Sequence, residues 1–405
     1  MLTFDDESLQ DPHAFYALLR EEGPVHEAML PMGTRAWVVT RYPDARAALS
    51  DARLSKDVER SSELMRQFRP TGEEPSDSGD MFRHMLNMDA PDHTRLRKLV
   101  TKAFTARRIE GLRPRVQEIS DGLIAKMVAN ADAGPMDLLD EFAFPLPITV
   151  ISELIGVPDD ARDDFRAWSN TMLQSGPREA AQAAGLAMAQ YLTALMEAKR
   201  AEPTDDMLSE LILASDDGDR LTQGEVLGMV FLLLVAGHET TVNLIGNGLL
   251  ALLRNPEQLA ALRADRSLLP SAVEEFLRFD GPINLATFRF TSEPIELGGV
   301  QIPKDEFVMI SLLGANRDPH QYEQPDRLDL GRNPSHVAFG HGIHFCLGAP
   351  LARMEAAIAF SGLLDHFGDI ELAVPFKDLS YRPSSLIHGL TRLPVLLRPR
   401  TAAIV

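Results

Sequence analysis

The 405-residue sequence contains a single cysteine, Cys346, so an intramolecular disulfide is excluded and nothing calls for an oxidising compartment. Basic residues are scarce: 40 Lys and Arg against 59 Asp and Glu give a formal net charge of −19, which argues against general nucleic-acid binding. The longest apolar run, MVFLLLVAG at 229–237, is too short to span a bilayer. The first residues carry acids where a signal peptide needs basic and apolar residues. We therefore expect a soluble, cytoplasmic protein with no membrane partner.

The order of sequence patterns predicts a mainly helical protein with a minor β portion. No internal repeat and no composition shift marks a linker, so we expect one domain over residues 1–405. Residues 91–278 are mostly helical in pattern and include a long apolar helix at 222–254, which ends before Asn255-Pro256. Other segments with a clear pattern are a strand at 36–40, a helix at 42–51, an exposed mobile loop at 69–80, a hairpin turn at Gly298-Gly299, a strand at 306–313 and a last helix at 348–367.

The one cysteine lies in FGHGIHFCLG, residues 339–348, at the start of the predicted last helix. Free backbone N–H groups and the positive end of a helix dipole lower the pKa of a nearby thiol, and only the thiolate is a nucleophile or a metal ligand. Glycines at 340, 342 and 348 remove side chains, so a flat ligand could approach closely. The residues alone leave three interpretations: a thiolate that binds a metal, a buried structural cysteine, or a nucleophile with His341 or His344 as its base.

This segment resembles the haem-binding loop of cytochrome P-450, the haem-thiolate monooxygenases, whose pattern is Phe-Gly-x-Gly-x-(His/Arg)-x-Cys-x-Gly. Six constrained positions in ten residues make the resemblance specific. In that family the cysteine thiolate is the axial ligand of the haem iron. The resemblance implies that the cofactor is haem b (iron protoporphyrin IX), with Cys346 as the metal ligand and Phe339, His344 and Gly348 as cofactor-binding residues. It covers residues 11–398 and implies the cytochrome P-450 fold, mainly α with a minor β portion.

The predicted long helix carries the motif LLLVAGHETTVNL, in which Glu239 is a carboxylate on an otherwise apolar helix. A local explanation is that the threonine hydroxyls bond back to the helix backbone and bend it. The motif also resembles the oxygen site of cytochrome P-450. That resemblance implies catalytic roles for Glu239, which would relay protons from solvent, and Thr240, the hydroxyl at the oxygen site. Ala236 and Gly237 would leave room there, and Thr241 is the alternative hydroxyl.

Two more groups of residues resemble family features in the expected order. Glu275 and Arg278 lie three apart and share a helix face, which resembles the family's Glu-x-x-Arg helix. A later arginine completes that buried ion-pair triad, and the resemblance suggests Arg327 for this role, which is structural rather than catalytic.

The second group consists of candidates for neutralising the two carboxylates of a buried haem. His93 and Arg97 are spaced i, i+4 and project from one helix face. Arg289 lies where the family places a propionate arginine, and with His344 these residues make four donors.

No flavin or nicotinamide fingerprint is present, so electrons must come from other proteins. The resemblance implies a ferredoxin and a ferredoxin reductase as donors and dioxygen as co-substrate. Residues 93–109 hold six cations and no acid, in contrast to the acidic whole. In this stretch we expect His93 and Arg97 to bind haem propionates, and we expect Lys98 and Lys102 to attract an acidic ferredoxin.

The substrate is expected to be a small, largely apolar molecule that is hydroxylated or epoxidised. Segments expected to line the pocket include 81–88 and 171–188. The individual pocket candidates are Met85, Leu86, Leu233, Ala236, Leu285, Thr287, Leu386 and Ile387. The sequence resembles bacterial members that tailor macrolides and other polyketides in antibiotic biosynthesis, while steroids, terpenes and fatty acids stay open. Two alternatives on the same scaffold are a peroxide-driven peroxygenase and a non-catalytic haem-binding protein.

Overall fold

The computed structural model describes residues 2–30, 33–66, 79–102, 104–174, 176–213 and 221–400. Helices dominate these residues, and strands are few and short, as the sequence patterns predict. The α-helices are α1 (Asp6–Gln10), α2 (Pro12–Glu22), α3 (Tyr42–Ser50), α4 (Val58–Arg66), α5 (Asp92–Thr101), α6 (Ala106–Asn130), α7 (Pro145–Ile155), α8 (Arg162–Leu173), α9 (Arg178–Ala201), α10 (Met207–Leu213), α11 (Gln223–Arg254), α12 (Pro256–Ala264), α13 (Leu269–Asp280), α14 (Leu312–Asn316) and α15 (Ala349–His366).

The strands form three small sheets. They are β1 (Leu2–Thr3), β2 (Val25–Met29), β3 (Arg35–Val39), β4 (Leu54–Ser55), β5 (Met136–Asp137), β6 (Arg289–Thr291), β7 (Ile295–Leu297), β8 (Val300–Ile302), β9 (Phe307–Ile310), β10 (Phe367–Leu372) and β11 (Pro394–Pro399). The largest sheet has the order β1-β2-β3-β9-β6-β4, a second has the order β10-β11-β5, and β7 and β8 form a hairpin. Within the first sheet β4 and β6 are antiparallel, with Leu54 opposite Thr291 and Ser55 opposite Phe290.

Helix α11 is the central element of the fold. It begins with a capping box, in which the Thr222 hydroxyl accepts from the Glu225 backbone N–H and the Glu225 carboxylate accepts from the Thr222 N–H. It ends at Arg254, because Pro256 cannot continue it. In the described part of the chain α11 is the one helix long and apolar enough to cross a membrane, but 83% of its most apolar window is buried within the protein. It is therefore a core helix.

The helices around α11 place the two sides of the site. Helix α11 packs against α7, α13 and α15, and α15 also packs against α6. The contact between α11 and α15 is close at Gly248, where a Cβ would lie 2.6 Å from Cζ of Phe360. The segment that precedes α15 is therefore held at a fixed distance from the middle of α11.

Most predicted elements are confirmed with small shifts of their ends. The strand at 36–40 is β3, the helix at 42–51 is α3, and the Gly298-Gly299 turn joins β7 to β8 with φ values of +57° and +80°. The strand predicted to run to 313 ends at Ile310, because Ser311 caps α14 by accepting from the Gly314 N–H at 2.8 Å. The loop predicted at 69–80 lies almost entirely outside the described residues.

Candidate active site

The cysteine loop is a tight turn before α15. Cys346 donates its backbone N–H to the carbonyl oxygen of Phe339 across 2.9 Å, which closes the loop. Gly340 and Gly342 both have a φ of +73°, a left-handed conformation that other residues disfavour. A Cβ on Gly342 would also lie 3.0 Å from the Cα of Ser50. These glycines are therefore required by the path of the loop, whatever ligand it holds.

The Cys346 thiol is free and faces a cavity. Burial raises its pKa, while the backbone N–H groups of Gly348 and Ala349 and the Arg97 guanidinium act in the opposite direction. The lowered thiol pKa predicted from the sequence is therefore wrong for the polypeptide alone, because desolvation outweighs the helix terminus. A coordinating metal ion would deprotonate the thiol outright. Among the described residues Cys346 has no hydrogen bond to His341 or His344, which disfavours the nucleophile interpretation.

The cavity lies between α11 and the cysteine loop and has about 1410 Å³ of empty space, including its mouth. Cys346 and Phe339 line one side, and Ala236 and Thr240 line the other. Apolar side chains make up most of the remaining wall. None of the described residues that line it carries a carboxylate. The cavity can therefore accept a large flat group with the thiol on one face and the helix on the other.

Basic side chains line part of the cavity. The four residues predicted to hold haem propionates, namely His93, Arg97, Arg289 and His344, are all among them, and His341 lines the cavity as well. The rings of His93 and His344 are 4.5 Å apart, and Arg97 donates to the Phe345 carbonyl oxygen at 2.7 Å. Burial and the neighbouring cations lower the pKa of His344 to about 2.

These residues fit haem b on observations of the chain itself. Both ring nitrogens of His93 are buried without a hydrogen-bond partner, and the only hydrogen bond of the buried Arg289 guanidinium among the described residues is to the Thr287 carbonyl oxygen at 3.3 Å. Burial also lowers the pKa of Arg289 to about 10. Burying hydrogen-bond donors without acceptors costs free energy, so these side chains are expected to bind anions. The two propionates of a haem bound at Cys346 would accept hydrogen bonds from these donors.

Helix α11 presents two neighbouring threonines to the cavity. Thr240 donates its hydroxyl to the Ala236 carbonyl oxygen at 2.9 Å, which is the bond to the helix backbone given above as the local explanation of the motif. Thr241 is more deeply buried. Both line the cavity. Gly237 lines it too, but a Cβ there would lie 2.7 Å from Cγ1 of Ile151. The glycine is therefore required for the approach of α7, in addition to any room it leaves for a ligand.

Glu239 is buried, and its carboxylate is held by partners outside the cavity lining. Ser169 donates its hydroxyl to Oε1 at 2.9 Å, and Arg382 donates Nη1 to Oε2 at 3.0 Å. Nε2 of His238 lies 3.3 Å from Oε1. Burial would raise the pKa of Glu239, but His238, Arg382 and Ser169 together lower it to about 2. The carboxylate is therefore ionised at neutral pH.

The ion pair on α13 is present, but its third member differs from the prediction. Glu275 and Arg278 are fully buried and form two hydrogen bonds of 2.7 Å. Arg327 was the wrong choice, because its side chain is exposed and bonds to Gln324, and only its carbonyl oxygen accepts from Arg278. Arg332 is the residue that approaches, with Nε at 3.4 Å from Oε1 of Glu275.

Six of the eight pocket candidates line the cavity: Met85, Leu86, Leu233, Ala236, Thr287 and Leu386. The choice of Leu285 and Ile387 was wrong, because both are buried away from it. Leu285 belongs to an apolar core cluster, and its neighbours Ile283 and Ala286 line the cavity instead. The described residues of the segment 171–188 contribute none of the lining residues.

Sequence reasoning missed three side chains close to the site: Lys56, Ser169 and Arg382. Lys56 is almost fully buried beside Thr287, and the other two bind Glu239. No clear signal existed for Lys56, because Leu54 is the one large apolar residue in the sequence DARLSKD around it. No local pattern marked Ser169 or Arg382, which are 70 and 143 residues from Glu239.

Residues 164–372 match the family model described as Cytochrome P450. The chain is 54% identical over 397 residues to cytochrome P450 107B1 of Saccharopolyspora erythraea, with 98% of this chain and 97% of the relative covered. The chain therefore belongs to the cytochrome P450 family. It is a monooxygenase, an oxidoreductase whose cofactor is haem b, and bacterial members of the family use redox partners.

Two further comparisons extend over almost the whole chain. A vitamin D(3) 25-hydroxylase of Pseudonocardia autotrophica is 50% identical over 396 residues, covering 97% of this chain and 95% of the relative. The solved structure of the tirandamycin C-bound P450 monooxygenase TamI superposes with a TM-score of 0.92 at 49% identity, covering 98% of this chain and all of the other. The predicted cytochrome P-450 fold is thereby confirmed.

Proposed function

We propose that this protein is a single-domain, ferredoxin-dependent monooxygenase that hydroxylates or epoxidises a large, mostly apolar molecule, with a macrolide or other polyketide as the first candidate. The observation that carries the proposal is one cavity with the Cys346 thiol on one side and the Thr240 hydroxyl on the other. A substrate beside a haem in this cavity would meet mostly apolar walls, and no described lining residue carries a carboxylate. We expect the protein to act in the cytoplasm.

The residues of the cavity divide the binding of haem b between them. Cys346 would hold the iron through its thiolate, and Phe339 and Gly348 would pack beside the ring. His93, Arg97, Arg289 and His344 would bind the propionates. Haem b, when bound, supplies the reductive activation of dioxygen. The polypeptide supplies the thiolate, the apolar walls that exclude water, and the proton path.

Thr240 and Glu239 are proposed as that proton path. The Thr240 hydroxyl lies on the cavity wall and would pass a proton to the reacting oxygen. Ser169 and Arg382 bind the Glu239 carboxylate outside the cavity lining. Glu239 would take up a proton there, and it would pass that proton to Thr240 after its bond to Arg382 breaks. Thr241 is the alternative hydroxyl, and its deeper burial favours Thr240.

Positive charges and apolar residues around the cysteine loop support an acidic redox partner. Of the six cations in residues 93–109, Arg95 and Arg108 pair with glutamates and Arg97 bonds to the cysteine loop. Lys98 and Lys102 are exposed. Ile343 and Phe345, on either side of His344 in the same loop, are 52% and 41% exposed. A ferredoxin with an acidic rim would match this surface, and its reductase would supply the electrons.

The substrate class follows from the cavity and from the relatives. Relatives act on macrolide and polyketide substrates, which supports the first candidate. A second candidate is a vitamin D-like compound, because a relative named for vitamin D(3) is 50% identical. The absence of a carboxylate from the described lining residues argues against a strongly basic substrate.

Turnover of the holoprotein with purified ferredoxin, ferredoxin reductase and NADPH tests the proposal. The reduced holoprotein should give the red-shifted carbonyl band of a thiolate-ligated haem, and a polyketide panel should contain compounds that shift its spin state. Product should then depend on ferredoxin. Product formed with hydrogen peroxide but not with ferredoxin would favour a peroxygenase, and spectral binding without product under either condition would favour a haem-binding protein.

A further inference from the structure

Lys56 is a buried lysine whose ammonium group has no carboxylate partner among the described residues. It follows strand β4, and its side chain is almost fully buried. Its Nζ donates to the Thr287 hydroxyl and, at 3.4 Å, to the Phe288 carbonyl oxygen. Asp89, the nearest acid, accepts instead from the Lys56 backbone N–H and from the Ser55 hydroxyl. An ammonium held only by neutral oxygens is costly to bury, so it needs a further partner.

The sheet register places Lys56 among the proposed propionate donors. Strands β4 and β6 pair with Ser55 opposite Phe290, so the next pair in the same register is Lys56 and Arg289. Among the charges that lower the pKa of His344, Lys56 has the largest effect. It also lowers the pKa of His93. Lys56 therefore lies close to both histidines that line the cavity.

The charge of this cluster is unbalanced without an anion. Three basic side chains meet here, Lys56, Arg97 and Arg289, and among the described residues Asp89 is the one carboxylate whose charge acts on Lys56 and Arg289, while the Cys346 thiol acts on Arg97. Burial and Arg289 lower the pKa of Lys56 well below its usual value, so its ammonium form needs an anion beside it. Propionates would supply the anions that this cluster lacks.

We propose that Lys56 is a haem-binding residue, the third cation that neutralises the propionates, and that its bond to Thr287 connects this end of the haem to the wall of the substrate cavity. The proposal rests on the proposed haem site and adds a residue to it. A propionate would give the ammonium its missing anionic partner, and the Thr287 hydroxyl would stay as its second acceptor. A substrate that contacts Thr287 would then shift the position of the Lys56 charge.

The test compares Lys56→Met and Lys56→Gln with Lys56→Arg in the holoprotein. Haem transfer to excess apomyoglobin should be about 10- to 100-fold faster for the first two variants and close to the unmodified rate for Lys56→Arg, because a charge-assisted bond is lost. The midpoint potential of the haem should fall in the two neutral variants, since a nearby positive charge favours the reduced form. Substrate should shift that potential less than in the unmodified protein.

A purely structural role makes a different prediction. In that case Thr287→Val, which removes the hydroxyl that Lys56 binds but keeps the charge, should speed haem transfer as much as Lys56→Met, and neither should move the potential. That result overturns the proposal, as does unchanged haem transfer in both neutral variants. Failure of the haem site itself would look different, because the unmodified protein would then lack the thiolate carbonyl band.

Discussion

Arg382 donates Nη1 to Oε2 of Glu239 across 3.0 Å, and both side chains are buried. The same nitrogen of Arg382 also donates to Oδ1 of Asn170 on α8 at 2.7 Å. The arginine belongs to the segment before β11 that also contributes Leu386 to the cavity wall. The ion pair therefore joins three parts of the chain, namely α8, α11 and the C-terminal wall of the substrate cavity. It links the position of the proposed proton-relay carboxylate to that wall.

Replacing Arg382 by Met should destabilise the holoprotein by about 3 kcal/mol, because a buried carboxylate loses its charged partner. The folded-state pKa of Glu239, about 2, lies below its ordinary value of 4.5, so its ionised form adds stability above about pH 4.5 that is lost as the pH falls towards 2. In Arg382→Met this pKa should rise and the loss should begin at higher pH. Urea midpoints measured from pH 7 to pH 4 test this expectation.

Arg392→Met is the matched control for the Arg382 variant. Arg392 is exposed, ten residues further along, and its replacement should change stability by less than about 0.5 kcal/mol at every pH. Equal urea midpoints for the two variants would show that the Glu239–Arg382 pair contributes nothing. In turnover assays, Arg382→Met should also move the acid limb of the pH–rate profile upwards, and Glu239→Gln should remove that limb.

Thr240→Ala should separate electron use from product formation. The hydroxyl on the cavity wall would be lost, so NADPH consumption should continue while product per NADPH falls at least about tenfold and peroxide accumulates. Thr240→Ser should restore most of the coupling, because it keeps the hydroxyl. Thr241→Ala is the comparison, since Thr241 lines the same cavity and is more deeply buried. A larger loss of coupling in Thr241→Ala would transfer the proposed role to that residue.

Sequence patterns predict the parts of the site that lie close together in the chain. The cysteine loop and the threonine motif each occupy fewer than fifteen residues, and helical spacing pairs His93 with Arg97 and Glu275 with Arg278. Lys56 and Arg382 were missed because their contacts join residues 231 and 143 positions apart, where spacing carries no information. These contacts depend on how β4 meets β6 and on the path of the C-terminal segment.

Irregular segments explain the choices that were wrong. Arg327 and Arg332 belong to one loop without periodicity, where residue spacing does not decide which of them approaches Glu275. Leu285 lies in a segment with two isolated bridges, where no period of two or 3.6 decides which side chains face the cavity.

Arg332 and Arg327 should differ in their effect on stability although they are neighbours. Nε of Arg332 approaches the buried Glu275 and Nη1 donates to the Glu323 carbonyl oxygen at 3.0 Å, so Arg332→Ala should lower the free energy of unfolding by about 1–2 kcal/mol. Arg327→Ala should cost less than about 0.5 kcal/mol, since that side chain is exposed. Thermal unfolding of the two holoproteins makes the comparison, and the reverse order would reinstate Arg327 as the third member of the triad.

Gly237→Ala tests whether this glycine is required by packing. The new methyl group would lie 2.7 Å from Cγ1 of Ile151, and such overpacking costs about 1–3 kcal/mol. Gly237→Ala/Ile151→Val removes Cδ1 of Ile151, which would lie 2.8 Å from the new methyl group, and should recover part of that loss. Urea unfolding of the single and double variants measures the coupling between the two positions. Strictly additive effects would mean that the two residues do not press on each other.

Charge reversal at Lys98 and Lys102 should weaken reduction by ferredoxin without affecting haem binding. Both lysines are exposed and lie close in sequence to Arg97, which bonds to the cysteine loop. Glutamates at these positions would repel an acidic partner that docks beside the loop. The apparent KM for ferredoxin should rise about tenfold at low salt, and its dependence on salt should flatten. Lys98→Glu alone and Lys126→Glu, on an exposed residue of α6, change the net charge by the same amount, and Lys126→Glu should leave both quantities unchanged. Kinetics that respond equally to the two changes would point to net charge rather than to a docking surface, and the ferredoxin site would then have to be sought on another face.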